Sequence, residues 1–154
     1  MLTVNGILTN PIAPQAGIAH ALRQYQMARL RGRLGQWWAA LTGRCRSLLQ
    51  LDATTRENGV GARHYAGIQA VPIRQIRGTE ERARDFDVEF NPLTDHTQGR
   101  WLSVFTALQR GAALPPVELT RLGETYFVRD GHHRISAARA LGQEYIEAIV
   151  TVWQ

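Results

Sequence analysis

Apolar residues recur every three to five positions at Ile18, Leu22, Tyr25, Leu30, Leu34, Trp37, Leu41, Cys45 and Leu48, while Arg23, Arg31, Arg33, Arg44 and Arg46 lie mostly off that stripe. This spacing predicts a basic amphipathic helical extension over residues 15–51. Gly32, Gly35 and Gly43 each cost about 1 kcal/mol relative to alanine inside a helix. The pattern therefore predicts a break near Gly32–Gly35, and with it a helical hairpin or a bent helix. Residues 1–14, with Asn5-Gly6, Pro11 and Pro14, read as an extended lead-in. Residues 52–69 carry no clear period and read as a linker, with His64 and Tyr65 as surface loop residues.

From residue 70 the period changes. Val71, Ile73 and Ile76 mark a first strand, with Pro72 near its start and Gly78 at its end. The segment Thr79–Pro92 mixes acids and arginines around Phe86 and Phe90 and reads as a charged loop pinned by the two rings. Thr94, Asp95 and Thr97 are N-cap candidates for a helix with Trp101, Leu102, Phe105 and Leu108 on one face, closing at Gly111. His96 at its start is a capping or surface residue, or a second phosphate contact. Pro115-Pro116 stops that run. Val117 to Leu122 and Tyr126 to Val128 then form a hairpin through Gly123-Glu124, and Tyr145 to Trp153 alternates as a closing strand. The expected fold class is α/β (α+β), one domain over 70–154 behind a helical N-terminal extension.

Length allows one ordinary core and a modest appendage. A single cysteine, Cys45, excludes an internal disulfide and a thiolate metal cluster, and favours a reducing compartment. The first twenty residues lack the basic and apolar regions of a secretory signal, and no apolar run approaches the ~20 residues of a spanning helix. A cytoplasmic protein, soluble or peripheral, is expected. All eighteen basic residues are arginine, which reflects genomic base composition more than function. Their distribution is more informative: residues 1–66 set eight arginines against Asp52 and Glu57, net +6, whereas residues 67–154 are net −1. Three partners compete for the basic extension: the C-terminal domain or a second copy of the chain (a homodimer), an anionic membrane surface, and DNA or another nucleic acid.

The chemistry concentrates in Tyr126 to Gly142. A β-prone run ends at Asp130, Gly131 follows, and a helix-forming run closes at Gly142, where a left-handed residue is expected. A strand-glycine-helix junction binds anions, because the first N–H groups of the helix lack intrahelical partners and the helix dipole adds positive charge. Gly131 lets a ligand approach the backbone. Arg134 offers a planar fork for phosphate oxygens, and His132 and His133 can donate hydrogen bonds or transfer protons. Two other readings stay open: a tight turn with Arg134 paired to a carboxylate such as Glu124, and a metal site with Asp130 as third ligand.

Gly131-His132-His133-Arg134 resembles the Gly-x-x-Arg phosphate-binding signature of the ParB/sulfiredoxin superfamily, and Ala137-Ala138 with Leu141-Gly142 resembles the continuation seen in ParB N-terminal domains. The resemblance covers roughly Ala70 to Trp153. It implies a small mixed-sheet domain of the kind often labelled a ParB-like nuclease. Asp130-Gly131-His132-His133-Arg134 (DGHHR) looks most like the free-serine kinase branch. In sulfiredoxins the position of His132 holds the nucleophilic cysteine; histidine here argues against sulfinic-acid reduction. Serine kinases of the superfamily place a catalytic glutamate after the first strand, a position matched by Glu80 or Glu81. The resemblance implies a nucleotide triphosphate, ATP or CTP, held by residues 130–134, with phosphotransfer or hydrolysis as the reaction. Asp85 or Asp87 could hold a magnesium ion. The rival expectation is a non-catalytic nucleotide-switched module that controls contacts with DNA, membrane or another protein, and nuclease activity is a third.

Overall fold

Alternating apolar positions along the C-terminal half build a mixed sheet whose buried side chains include Val117, Leu119, Val128, Ala148 and Val150. The computed structural model describes residues 13–58, 61–81 and 83–154. The helices are α1 (Ala13–Thr42), α2 (Leu51–Asn58), α3 (Gln98–Gln109) and α4 (His132–Ala140). The strands are β1 (Leu49–Gln50), β2 (Arg63–Pro72), β3 (Ile76–Thr79), β4 (Val117–Leu122), β5 (Thr125–Asp130) and β6 (Tyr145–Trp153). Their order is β1-β3-β5-β4-β6-β2. β3 runs parallel to β1 and β5, β4 runs antiparallel to β5 and parallel to β6, and β2 closes the edge antiparallel to β6. The fold is thus mixed α/β with a helical N-terminal segment. The expected hairpin 117–130 and closing strand 145–153 form as read from the sequence.

A second apolar cluster joins the helices. Trp101 stacks on Phe105 with centroids 4.8 Å apart, Tyr25 of α1 lies 5.4 Å from Trp101, and Ala21 and Ala137 complete the group. The Tyr25 hydroxyl donates to the Thr94 carbonyl at 3.0 Å, and Arg29 pairs with Asp95. α1 is therefore docked on the body along its length.

Several sequence expectations are corrected. α1 is one continuous helix of 30 residues, with no break at Gly32–Gly35. A Cβ at Gly32 would sit 3.1 Å from Asn91 Cβ and Leu93 Cδ2, and one at Gly35 would sit 2.8 Å from Arg46 Nε. These glycines serve close approach, and the packing gained there outweighs their poor helix propensity. The helix also stops at Thr42 rather than Leu51, and Leu49–Gln50 joins the sheet beside β3. The predicted linker 52–69 is instead α2 followed by most of β2, so His64 and Tyr65 are exposed strand residues. Their pairing with Val152 and Thr151 of β6 supplies backbone partners that no local pattern announces. The strand expected through Val71, Ile73 and Ile76 is divided: β2 ends at Pro72, Ile73–Gln75 is a 3-10 turn, and Ile76 opens β3. Gly78 does not end a strand: it lies inside β3, opposite Phe127. Of the lead-in 1–14, residues 1–12 lie outside the described residues, while Ala13 and Pro14 already belong to α1.

A Cβ at position 78 would collide with the Phe127 ring, which is fully buried, and would lie 3.0 Å from the Leu49 carbonyl. Gly78→Ala is expected to cost about 1–3 kcal/mol by overpacking. Equilibrium urea denaturation should show a lower midpoint with an unchanged slope; an unchanged midpoint would refute this account of β1, β3 and β5.

Candidate functional site

β5 delivers the chain to Asp130, and Gly131 turns it into α4 with φ 105° and ψ 20°. That left-handed geometry disfavours a side chain, and space forbids one: a Cβ there would lie 2.5 Å from Val117 Cγ1. Gly131, as the N-cap residue, supplies no side-chain cap. The first turn of α4 is thus approached through a backbone turn with no N-cap side chain in the way.

Arg134 holds this turn in place. Its guanidinium donates to the carbonyls of Pro115 and Pro116, the latter at 2.9 Å, and to Asp130 Oδ2 at 2.5 Å. Its side chain is 16% exposed. The carboxylate partner is thus Asp130, one helical turn back, and not the Glu124 suggested by sequence.

His132 is 5% exposed, with Nε2 2.8 Å from Thr79 Oγ1 at the end of β3. Its ring stacks on Phe86 at 6.0 Å, and His133 meets the same ring edge-on at 5.4 Å. The charged loop therefore contributes an aromatic wall to both histidines. Glu81 and Glu80 separate here. Glu81 is exposed and lines a cleft of about 280 Å³ together with Arg100, Arg129 and residues 130–134. Glu80 does not line that cleft; its Oε1 accepts from Thr120 Oγ1 at 2.6 Å.

The remaining acids organise the loop. Asp87 is fully buried, and its Oδ1 accepts from the backbone N–H groups of Glu89 and Asn91, both at 2.9 Å. Asn91 Nδ2 and Arg46 Nη2 complete its shell. Burial draws the Arg46 pKa down, but Glu89 and Asp87 outweigh it and raise the pKa overall. Asp85 Oδ1 lies 3.3 Å from His96 Nε2, which gives His96 a carboxylate neighbour at the start of the α3 region. Among the described residues no three or more histidine, cysteine or acidic side chains gather as a metal would require. With its carboxylate filled by these donors, Asp87 does not fit a magnesium ligand.

Sequence reasoning passed over Arg100, Arg129, Thr79 and the role of Phe86. Arg129 adjoins the motif and was legible as a cleft candidate. Arg100 had no such signal, because only the packing of α3 beside α4 brings it to the site. The link between those helices is direct: Trp101 Nε1 donates to Ser136 Oγ at 2.8 Å.

Arg134→Ala removes the donor to two carbonyls and a carboxylate. It is expected to destabilise the fold by about 1.5–3 kcal/mol, the range for a hydrogen-bonded charged group. Arg134→Lys should recover little of this, since an ammonium lacks the planar fork. Chemical denaturation of the three proteins checks both expectations, and equal stability would refute the anchoring role.

No family model matches the chain, and no curated protein does. Among solved structures, sulfiredoxin from Arabidopsis thaliana is similar at 22% identity, over 54% of this chain and 82% of that one, with a TM-score of 0.41.

Proposed function

We propose that the cleft at the start of α4 binds the phosphate chain of a nucleoside triphosphate, ATP or CTP, and that the protein catalyses phosphotransfer to a small acceptor or hydrolysis of the nucleotide. One observation carries this reading. The glycine-led start of a nine-residue helix lines a cleft that also holds Arg100 and Arg129. Backbone donors, the helix dipole and guanidinium groups are the elements that stabilise phosphoryl oxygens.

The roles follow from position. Arg134 keeps the turn in register, and the N–H groups of the first turn with Arg100 and Arg129 take the phosphate oxygens. Glu81, open to the cleft, is the base: it accepts the proton of the attacking hydroxyl or water as the new O–P bond forms and the nucleoside diphosphate departs. Glu80, bonded to Thr120, is assigned no chemistry. His133 and His132 stabilise charge on the transferred group, with His132 oriented by Thr79.

A second reading has its own support. Ser136 of α4 is bonded to Trp101 of α3, and Tyr25 of α1 packs on that same indole. Nucleotide occupancy could therefore bias α1 without turnover, as in a switched binding module.

A thermal-shift panel of ATP, CTP, GTP and ADP, with and without magnesium, tests the site. A nucleotide at about a hundred times its dissociation constant adds about 2.7 kcal/mol. For a chain of this size each kcal/mol moves Tm by about 2–4 °C. Arg100→Gln/Arg129→Gln, at exposed positions, should abolish the shift without altering the unliganded Tm. No shift with any nucleotide would sink the proposal. With binding established, multiple-turnover phosphate release that is lost in Glu81→Gln supports the enzyme; binding without release supports the switch.

A further inference from the structure

α1 meets the body of the protein through small residues. Ala21, Ala28, Gly32 and Ala39 are buried there, with Tyr25 among them. On the opposite side Met27, Leu30, Leu34, Trp37, Trp38 and Leu41 are 49–64% exposed. At 3.6 residues per turn these six fall within an arc of about 100°, diametrically across from the docked face. They leave on the order of 700 Å² of side chain in water, more than the largest apolar patch of most monomers.

The charge around the stripe identifies its occupant. α1 contains Arg23, Arg29, Arg31 and Arg33 and no aspartate or glutamate. Arg29 is taken by Asp95. Arg31 and Arg33 border the stripe on its two edges, Arg23 lies in line with it one turn ahead, and all three are exposed. Among the described residues none of these three makes an ion pair. A second copy of the helix would bring arginine against arginine with no acid on either helix to answer it, a juxtaposition that opposes association. A nucleic acid would satisfy the arginines and leave two tryptophans and three leucines in water. An anionic bilayer accommodates both features, because its boundary takes tryptophan and leucine while its phosphates take arginine. No described helix is long and apolar enough to cross a membrane, so the contact is along the surface.

We propose that α1 lies flat on an anionic lipid bilayer, with Leu30, Leu34, Trp37, Trp38 and Leu41 in the headgroup–acyl boundary and Arg23, Arg31 and Arg33 on lipid phosphates. The docked side of the helix then holds the α/β body away from the lipid. This inference is independent of what the α4 cleft binds.

The full chain is sedimented with vesicles of phosphatidylcholine alone and of phosphatidylcholine with one third phosphatidylglycerol, at low and high salt. The expected result is co-sedimentation with the anionic vesicles only, a blue shift of tryptophan emission, and loss of binding at high salt. Leu34→Glu/Leu41→Glu changes exposed positions, so it should keep the wild-type Tm and abolish binding. Arg31→Gln should weaken binding about five-fold, the equivalent of about 1 kcal/mol for one basic residue near the surface. Absence of sedimentation with both vesicles overturns the proposal, as does equal sedimentation with both. Without vesicle binding, self-association abolished by Leu34→Glu would assign the stripe to a second copy. Duplex-DNA binding insensitive to Leu34→Glu, again without vesicle binding, would assign the arginines to nucleic acid.

Discussion

The guanidinium of Arg134 is the constraint on which the candidate site depends. It ties the turn between β5 and α4 to a distant stretch of chain, taking the carbonyls of Pro115 and Pro116 before β4 together with the carboxylate of Asp130 one helical turn back. A planar group with five donors can satisfy all three at once, and most of it is removed from solvent, so the exchange with water is limited. The left-handed turn at Gly131 is held between these anchors, with Val117 occupying the space a side chain would need. The start of the helix is thus presented in one orientation, with a glycine at its N-cap.

The other wall of the site is built by the charged loop. Asp87 organises it from within, gathering two backbone N–H groups, Asn91 and Arg46 around one carboxylate. That turn sets Phe86 against both histidines. Because Arg46 follows α1 and lies beside Gly35, the same cluster also seats the long helix. The acids of this loop therefore divide by burial. Asp87 is structural, Asp85 faces His96, and Glu81 is the one that opens to the cleft.

α1 shows how one helix can serve two surfaces. Its small face permits close approach to Asn91 and Leu93, and its bulky face points outward. A helix that reserves alanine and glycine for its own domain leaves its largest apolar side chains for something else. Trp101, bonded to Ser136 of α4 and packed on Tyr25 of α1, places the helix and the candidate site on one contiguous core.

Much of this was legible in sequence, for local reasons. Alternation over 117–122 and 145–153, the Gly123 turn, and the glycine between Asp130 and the helix are short-range patterns, and each formed where expected. The stripe of α1 was also legible as a period, but a period does not say which side of a helix finds a partner. Of the stripe, Tyr25 buries against the body together with Ala21, Ala28 and Ala39, whereas Leu30, Leu34, Trp37 and Leu41 stay exposed, because close approach to the body decided the docked face. Likewise, residues 63–69 looked like linker because half of a β-ladder resides in its partner strand, some eighty positions away in β6. The sequence by itself determined the element types from α3 onward and the junction at Gly131. Only the tertiary structure decided that Arg134 also holds the carbonyls of Pro115 and Pro116, that Arg100 reaches the cleft, and that Asp87 is sealed inside, since each depends on contacts between segments that no local pattern encodes.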